Sequence, residues 1–286
     1  QEPFIYPIGA ANHTNGFKPL ATQNMADPTV TDPSAYFQTA TYTGNGSSQS
    51  ITFSGNSDMQ PDFIWIKKRD GTANHALYDS VRGTNKELSS STTNGENEPA
   101  SGDGVTAFNS DGFSVGSRGE VNGDTNTIVA WCLKAGGAPT ATNDNTSGAM
   151  DDNSVFKGGV AQSSYTPSGS PSLYPQKMSI ASHGGFSIVQ YVGTGSNLTY
   201  PHGLDRAPSV VLNKCTSHGS LNWIMYHSGI TQAYTSSLQT VTAKEAYLTL
   251  NADDYAYDDA TQWQDTDPTS TLVSLGTGGA INGSSK

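Results

Sequence analysis

Apolar residues in this chain come in short runs, each closed by Gly, Asn, Asp or Pro. Ser50-Ile51-Thr52-Phe53, Phe63-Ile64-Trp65-Ile66, Ala76-Leu77-Tyr78, Val105-Thr106-Ala107-Phe108, Phe113-Ser114-Val115 and Ile128-Val129-Ala130-Trp131-Cys132 either alternate with polar residues or are apolar throughout. Alternation puts every second side chain on one face of a strand, and a wholly apolar run suits a strand covered on both faces. The pattern resumes with Phe186-Ser187-Ile188-Val189, Val210-Val211-Leu212, Trp223-Ile224-Met225-Tyr226, Tyr247-Leu248-Thr249-Leu250 and Thr271-Leu272-Val273-Ser274-Leu275. No stretch of useful length carries a 3.6-residue apolar stripe, so helix is expected to be nearly absent. Many short strands with turn residues between them predict an antiparallel sandwich or jelly roll. Asp111-Gly112 and Asn122-Gly123 are the strongest hairpin signals, because Gly accepts the positive φ of a tight reversal.

The pattern is duplicated. Tyr42-Thr43-Gly44-Asn45-Gly46 returns as Tyr191-Val192-Gly193-Thr194-Gly195, Pro61 begins a run that returns at Pro208, and Ala76-Leu77-Tyr78 returns as Ile224-Met225-Tyr226. The spacing between copies stays between 147 and 149 residues across these landmarks, as a tandem repeat requires and chance resemblance would not. At Asn122-Gly123 and Asn282-Gly283 the spacing has grown to 160. An insertion of about a dozen residues is therefore expected between Gly229 and Asp267 of the second copy, in the stretch that holds Tyr234, Tyr255, Tyr257 and Trp263. The fold class expected is all-β, two tandem antiparallel β-sandwich modules over 37–136 and 182–286. A Gly/Pro/Ser-rich extended connector over 137–181, without a core of its own, joins them. Residues 1–36, with Pro3, Pro7, Pro19, Pro28 and Pro33, are read as an extended segment trailing from a preceding domain. After Asn282-Gly283 the second copy has nothing matching Ile128–Leu133, so its closing strand is expected to be missing, as in a truncated chain or one completed by a neighbour's strand.

Composition narrows the function. The chain has 286 residues, only 14% of them charged, with 31 Gly and a net charge of −11. Lys and Arg total 14 and cluster only at Lys67-Lys68-Arg69, which argues against a nucleic-acid partner. No apolar run reaches the roughly 18 residues of a membrane helix, so no membrane insertion is expected. Cys132 and Cys215 fall at non-equivalent places in the two copies and are read as free, buried thiols.

Candidate chemistry is sparse. Six histidines show no metal-binding spacing. His75 and His227, near the repeated Tyr, are read as structural hydrogen-bonding groups. Glu87, Glu96, Glu98 and Glu120 lie near turns, and no acid–base pair can be read from them. The densest cluster is Asp253-Asp254-Tyr255-Ala256-Tyr257-Asp258-Asp259. Its exposed aromatics suit stacking on a sugar ring, and Asp253, Asp254, Asp258 and Asp259 are a weak Ca²⁺ candidate against the plainer alternative of a solvated loop.

These landmarks resemble a repeated module of tail-fibre and other virion proteins of aquatic phages. Phe17-Lys18-Pro19-Leu20-Ala21-Thr22 is similar to the junction leaving a SPRY-type domain. His75-Ala76-Leu77-Tyr78-Asp79, Ser110-Asp111-Gly112-Phe113 and Val129-Ala130-Trp131-Cys132 resemble one module; Gly185-Phe186-Ser187-Ile188-Val189, His202-Gly203-Leu204 and Pro268-Thr269-Ser270-Thr271 resemble the next. The resemblance implies a concanavalin-like or SPRY-like jelly roll and a place on a virion, outside the cell, with no catalytic set to carry over. The expectation is a non-enzymatic tail-fibre or appendage subunit without cofactors. Its partners would be copies of itself, trimers included, other virion proteins and a host-surface glycan, met by Tyr234, Tyr255, Tyr257 and Trp263. The rival readings are a secreted bacterial carbohydrate-binding or adhesin module and a purely structural decoration or filament subunit.

Overall fold

The computed structural model describes residues 30–234 and 237–284. Most of the segment expected to trail from a preceding domain, residues 1–29, lies outside them. In the first module the strands are β1 (Phe37–Thr43), β2 (Gln49–Ile51), β3 (Phe63–Lys68), β4 (Ala76–Asp79), β5 (Gly83–Leu88), β6 (Val105–Asn109), β7 (Gly112–Val115) and β8 (Thr127–Leu133), with a single helical turn, α1 (Gly119–Asn122), before β8. They form a five-stranded sheet in the order β1-β8-β3-β4-β5 and a three-stranded sheet in the order β2-β7-β6. The core lies between them, built from Ile64 and Ile66 of β3, Phe113 and Val115 of β7, and Ile128, Ala130 and Cys132 of β8. β8 reads as a central strand because it is one: Ile64 pairs with Cys132 and Ile66 with Ala130 on one side, while Ala40 pairs with Ala130 on the other.

The segment read as an extended connector without a core of its own has one. It contributes β9 (Val155–Lys157), β10 (Val160–Ala161) and β11 (Lys177–Ile180), which with β12 (Ser187–Gln190) make a sheet ordered β10-β9-β11-β12, β9 and β11 running parallel. Met150, Val155, Met178 and Ile180 form a small buried cluster there. The apolar residues are too few and too scattered among Gly, Pro and Ser to show a period in sequence, yet four of them suffice when Met178 and Ile180 of β11 meet Val155 of β9 and Met150. The segment is anchored to the first module through Asp62, whose carboxylate accepts from Ala135 N at 2.7 Å and Gly137 N at 3.2 Å. Burial pushes the pKa of Asp62 up, against the hydrogen bonds.

The second module continues with β13 (Leu198–Pro201), β14 (Val210–Asn213), β15 (Ile224–His227), β16 (Gln232–Tyr234), β17 (Leu238–Thr240), β18 (Ala246–Thr249), β19 (Tyr257–Asp258), α2 (Ala260–Trp263), β20 (Leu272–Leu275) and α3 (Gly279–Asn282). β13 and β20 pair, and the other strands form a six-stranded sheet ordered β14-β15-β18-β19-β16-β17. Leu198, Tyr200, Ile224, Tyr226, Val273, Leu275 and Ile281 fill its core. No helix among the described residues is long and apolar enough to cross a membrane.

The repeated motif is structural in both copies. Tyr42 Oη donates to Val121 O at 2.6 Å, and Tyr191 Oη donates to Ile281 O at 2.7 Å. The Asn122 amide donates to Gly116 O and Ser47 O and accepts from Asn45 N, while Asn282 donates to Gly276 O and Ser196 O and accepts from Thr194 N. Both amides are almost fully buried, and a Cβ on Gly44 or Gly193 would run into the carbonyl of Gly123 or Gly283. Asn122-Gly123 is therefore not the hairpin its composition suggested: Gly123 has φ −55° and closes α1, leaving the Asn side chain free to turn inward as a clamp. Asp111-Gly112 does make the β6–β7 reversal, with Gly112 at φ 105°.

The two modules touch. Trp223 packs against Leu77 and Leu88 on the outer face of the five-stranded sheet and donates Nε1–H to Ser89 O at 2.8 Å. Lys214 Nζ to Thr93 O at 3.0 Å and Glu96 N to Thr216 O at 2.7 Å complete the joint. Both cysteines are free and buried.

Candidate functional site

The insertion located from the repeat spacing supplies β16 and β17, between β15 and β18; the Tyr247–Tyr257 pairing that follows lies 160 residues after the Glu87–Asn97 bridge of the first module. Register brings the aromatic residues of these strands together. Tyr247 of β18 faces Tyr257 of β19, Tyr257 faces Tyr234 of β16, and Tyr234 faces Leu238 of β17. Directly opposed residues project from the same face of a sheet. The four side chains therefore form a row across four strands, about 14 Å long at about 4.8 Å per interstrand step. Tyr255, two residues before Tyr257 and so on the same face, stacks on Tyr234 with ring centroids 5.4 Å apart and planes 20° from parallel. Tyr247 and Tyr257 lie 5.8 Å apart at 33°. The ladder is open to solvent at one end: Tyr255 is 66% exposed and Leu238 53%. At the other end Tyr247 is half-buried, and burial followed by the nearby Asp259 carboxylate pushes its phenol pKa up.

Three of the four residues singled out in sequence, Tyr234, Tyr255 and Tyr257, are thus brought together. Trp263 is not. It is 1% exposed, packs edge-on against Tyr226 at 6.0 Å and belongs to the core, because α2 turns it inward onto β20. Asp259 caps α2 by accepting from Thr261 N at 2.9 Å, and the turn leaves Ala260 and Thr261 exposed while burying Gln262 and Trp263. Sequence reading missed Tyr247 and Leu238, whose membership depends on pairing across strands distant in sequence. Tyr247 carried a signal only as the first residue of an apolar run.

The four carboxylates do not converge. Asp253, Asp254 and Asp258 are exposed, whereas Asp259 is tied to Thr261 and to Gln262 Nε2 at 3.0 Å. Burial disfavours the Asp259 anion, but the bonds from Gln262 and Thr261 outweigh it and hold its pKa below the usual carboxylate value. Among the described residues no group of three or more His, Cys, Asp or Glu is arranged to hold a metal ion.

The acidic residues of the first module form a second feature. Glu87 is buried, accepts from Tyr78 Oη at 2.5 Å and pairs with Arg118 at 2.8 Å. Arg82 bridges Asp79 and Glu96, and Lys86 pairs with Glu96 and Glu98. An open polar cleft of about 400 Å³ beside them is lined by Asn74, Glu87, Asn94, Glu96, Asn97 and Arg118. Glu87 and Glu96 are each held by a cation, Glu87 by Arg118 and Glu96 by Arg82. His75 accepts from Trp65 Nε1 at 2.7 Å and His227 from Gly229 N at 3.0 Å, both structural contacts.

A domain family of unknown function, DUF7483, matches the chain twice, over residues 32–171 and 155–286. The first match runs on through β9 and β10, in keeping with a connector that is part of the repeating unit. No curated protein and no solved structure matches the chain.

Proposed function

The chain belongs to DUF7483, a domain family of unknown function present here in two consecutive copies, and we propose that it is a non-enzymatic subunit of a bacteriophage tail fibre or related virion appendage that touches the host surface. The observation that carries surface contact is the exposed tyrosine ladder on the second module. Planar aromatic faces in a row suit the apolar faces of linked sugar rings, and the phenols and neighbouring carboxylates Asp253 and Asp254 suit their hydroxyls. Placement on a virion rests on the residue-level resemblance to aquatic-phage fibre modules, and the jelly-roll, concanavalin-like identity of the modules is part of the same proposal. Self-association, trimers included, follows from how fibres are built.

Immunogold labelling of phage particles with antibodies to the purified chain tests location. Label at fibre tips or the tail end supports the reading, and label confined to capsid or shaft retires the receptor-contact role. A chain that binds glycan as a monomer but labels no particle is a secreted carbohydrate-binding module instead.

A further inference from the structure

The modules agree down to single hydrogen bonds, so the place where they differ is informative. In the first, β8 lies between β1 and β3, antiparallel to both, with Ile128, Ala130 and Cys132 facing inward and fully buried. By the repeat landmarks β12 corresponds to β1, with Val189 at the place of Ala40. β14 corresponds to β3, with Val211 at the place of Ile64 and Asn213 at that of Ile66. Among the described residues β12 pairs only with β11, and β14 pairs only with β15. Each therefore offers a free edge where its counterpart holds β8.

The apolar residues along those edges are poorly covered. Ile64 and Ile66 are 0% exposed, whereas Val211 touches the module core yet remains partly exposed, as does Val189. Val192, Val210 and Leu212 are 44%, 45% and 40% exposed. Paired free edges with apolar side chains are an arrangement that folded β proteins ordinarily cover. Asn213 Nδ2 donates to Tyr191 Oη at 2.5 Å, joining the inner faces of the two sides within the core. The approach is in place too: Ser284 lies against Gly195 as Asp124 lies against Gly46, and α3 is clamped by Asn282 as α1 is by Asn122.

We infer that the edges of β12 and β14 receive one further strand, antiparallel to both, which enters from the α3 end and carries small or aliphatic side chains at alternate positions. The inward residues must be apolar because they meet Val189, Val211 and the Leu198–Leu275 core, where a polar side chain would be left without a partner. Both edges supply unpaired backbone donors and acceptors, so the strand gains two ladders at once, as β8 does.

The test grafts the first module's own segment, a copy of residues 125–135, after Ser284 of the full chain and follows amide hydrogen exchange in each module. Exchange at residues 188–192 and 210–213 should slow by at least about tenfold relative to the ungrafted chain, with β3 and β8 unchanged as internal controls for folding. A second graft, in which the copies of Ile128, Ala130 and Cys132 are Lys, should lose that protection. Unchanged exchange with the first graft overturns the slot, and equal protection by the lysine graft overturns its apolar chemistry. Neither result bears on the tyrosine ladder, which lies on other strands.

Discussion

The first module encloses its sheet and the second displays one. Both keep the Tyr and Asn clamp that fastens a short helical turn beneath the sandwich, and both keep a core of similar make-up. Around that shared frame, the first copy packs Leu77 and Leu88, with Phe63 and Trp65, against Trp223 of the second, whereas the second carries an added hairpin on which Tyr255 stacks over Tyr234 in contact with water. The two copies share a frame and differ at the rim of the second, which is where the proposed contact surface lies.

The largest contrast is expected at equivalent core positions. Ile64→Ala should cost about 4 kcal/mol, since a fully buried side chain leaves a cavity in a closed sheet, whereas Val211→Ala should cost only about 1 kcal/mol at a half-covered edge. Urea unfolding read by module-resolved hydrogen exchange checks both, and equal costs would mean that β14 is covered in solution. Next are the clamps. Asn122→Ala should destabilise its module by about 3 kcal/mol through stranded buried carbonyls and amides. Asn282→Ala should cost about 2 kcal/mol, because Asn122 also accepts from Gln49 Nε2 and donates to Asn45 Oδ1, whereas Asn282 has neither partner.

Tyr234→Ala with Tyr255→Ala should change stability by less than about 1 kcal/mol, since both rings are exposed. Glycan or cell binding should nevertheless fall by about tenfold or more. Trp131→Ala, on the first module, should leave binding intact. Binding unchanged in the double variant removes the ladder from the functional surface.

The smallest effect concerns acid. Burial, then the Lys67 charge, lowers the pKa of His75 below its ordinary 6.5. The unfolded chain thus takes up this proton more readily than the folded one. The contribution of neutral His75, which accepts from Trp65, is present above about pH 6.5 and is lost as pH falls through the depressed folded value. A thermal melt series from pH 7.5 to pH 5 should show a first-module decline that His75→Gln flattens.

Much of this was legible in the sequence. Every apolar run named in either copy overlaps a strand, although Phe53, Phe186, Trp223 and Leu250 lie just beyond the strand ends, because alternation and turn residues are local signals. The insertion was found from repeat spacing alone, since a duplicated chain supplies its own reference. β5 escaped notice: Gly83-Thr84-Asn85-Lys86-Glu87-Leu88 is polar, and it is a strand because β4 pairs with it and Arg118 pairs with Glu87. Trp263 lies in the core, and an aromatic in a polar stretch looks the same in sequence whether its loop folds outward or back onto the core. The ladder's full membership needed cross-strand register, which no local pattern encodes.

The indole of Trp223 gives the pair of modules a mechanical character. Separating the two sandwiches must strip that ring from Leu77 and Leu88 and break its bond to Ser89. Load on either sandwich is therefore shared with the other through this ring and through the Lys214–Thr93 and Glu96–Thr216 bonds, as well as through the intervening polypeptide.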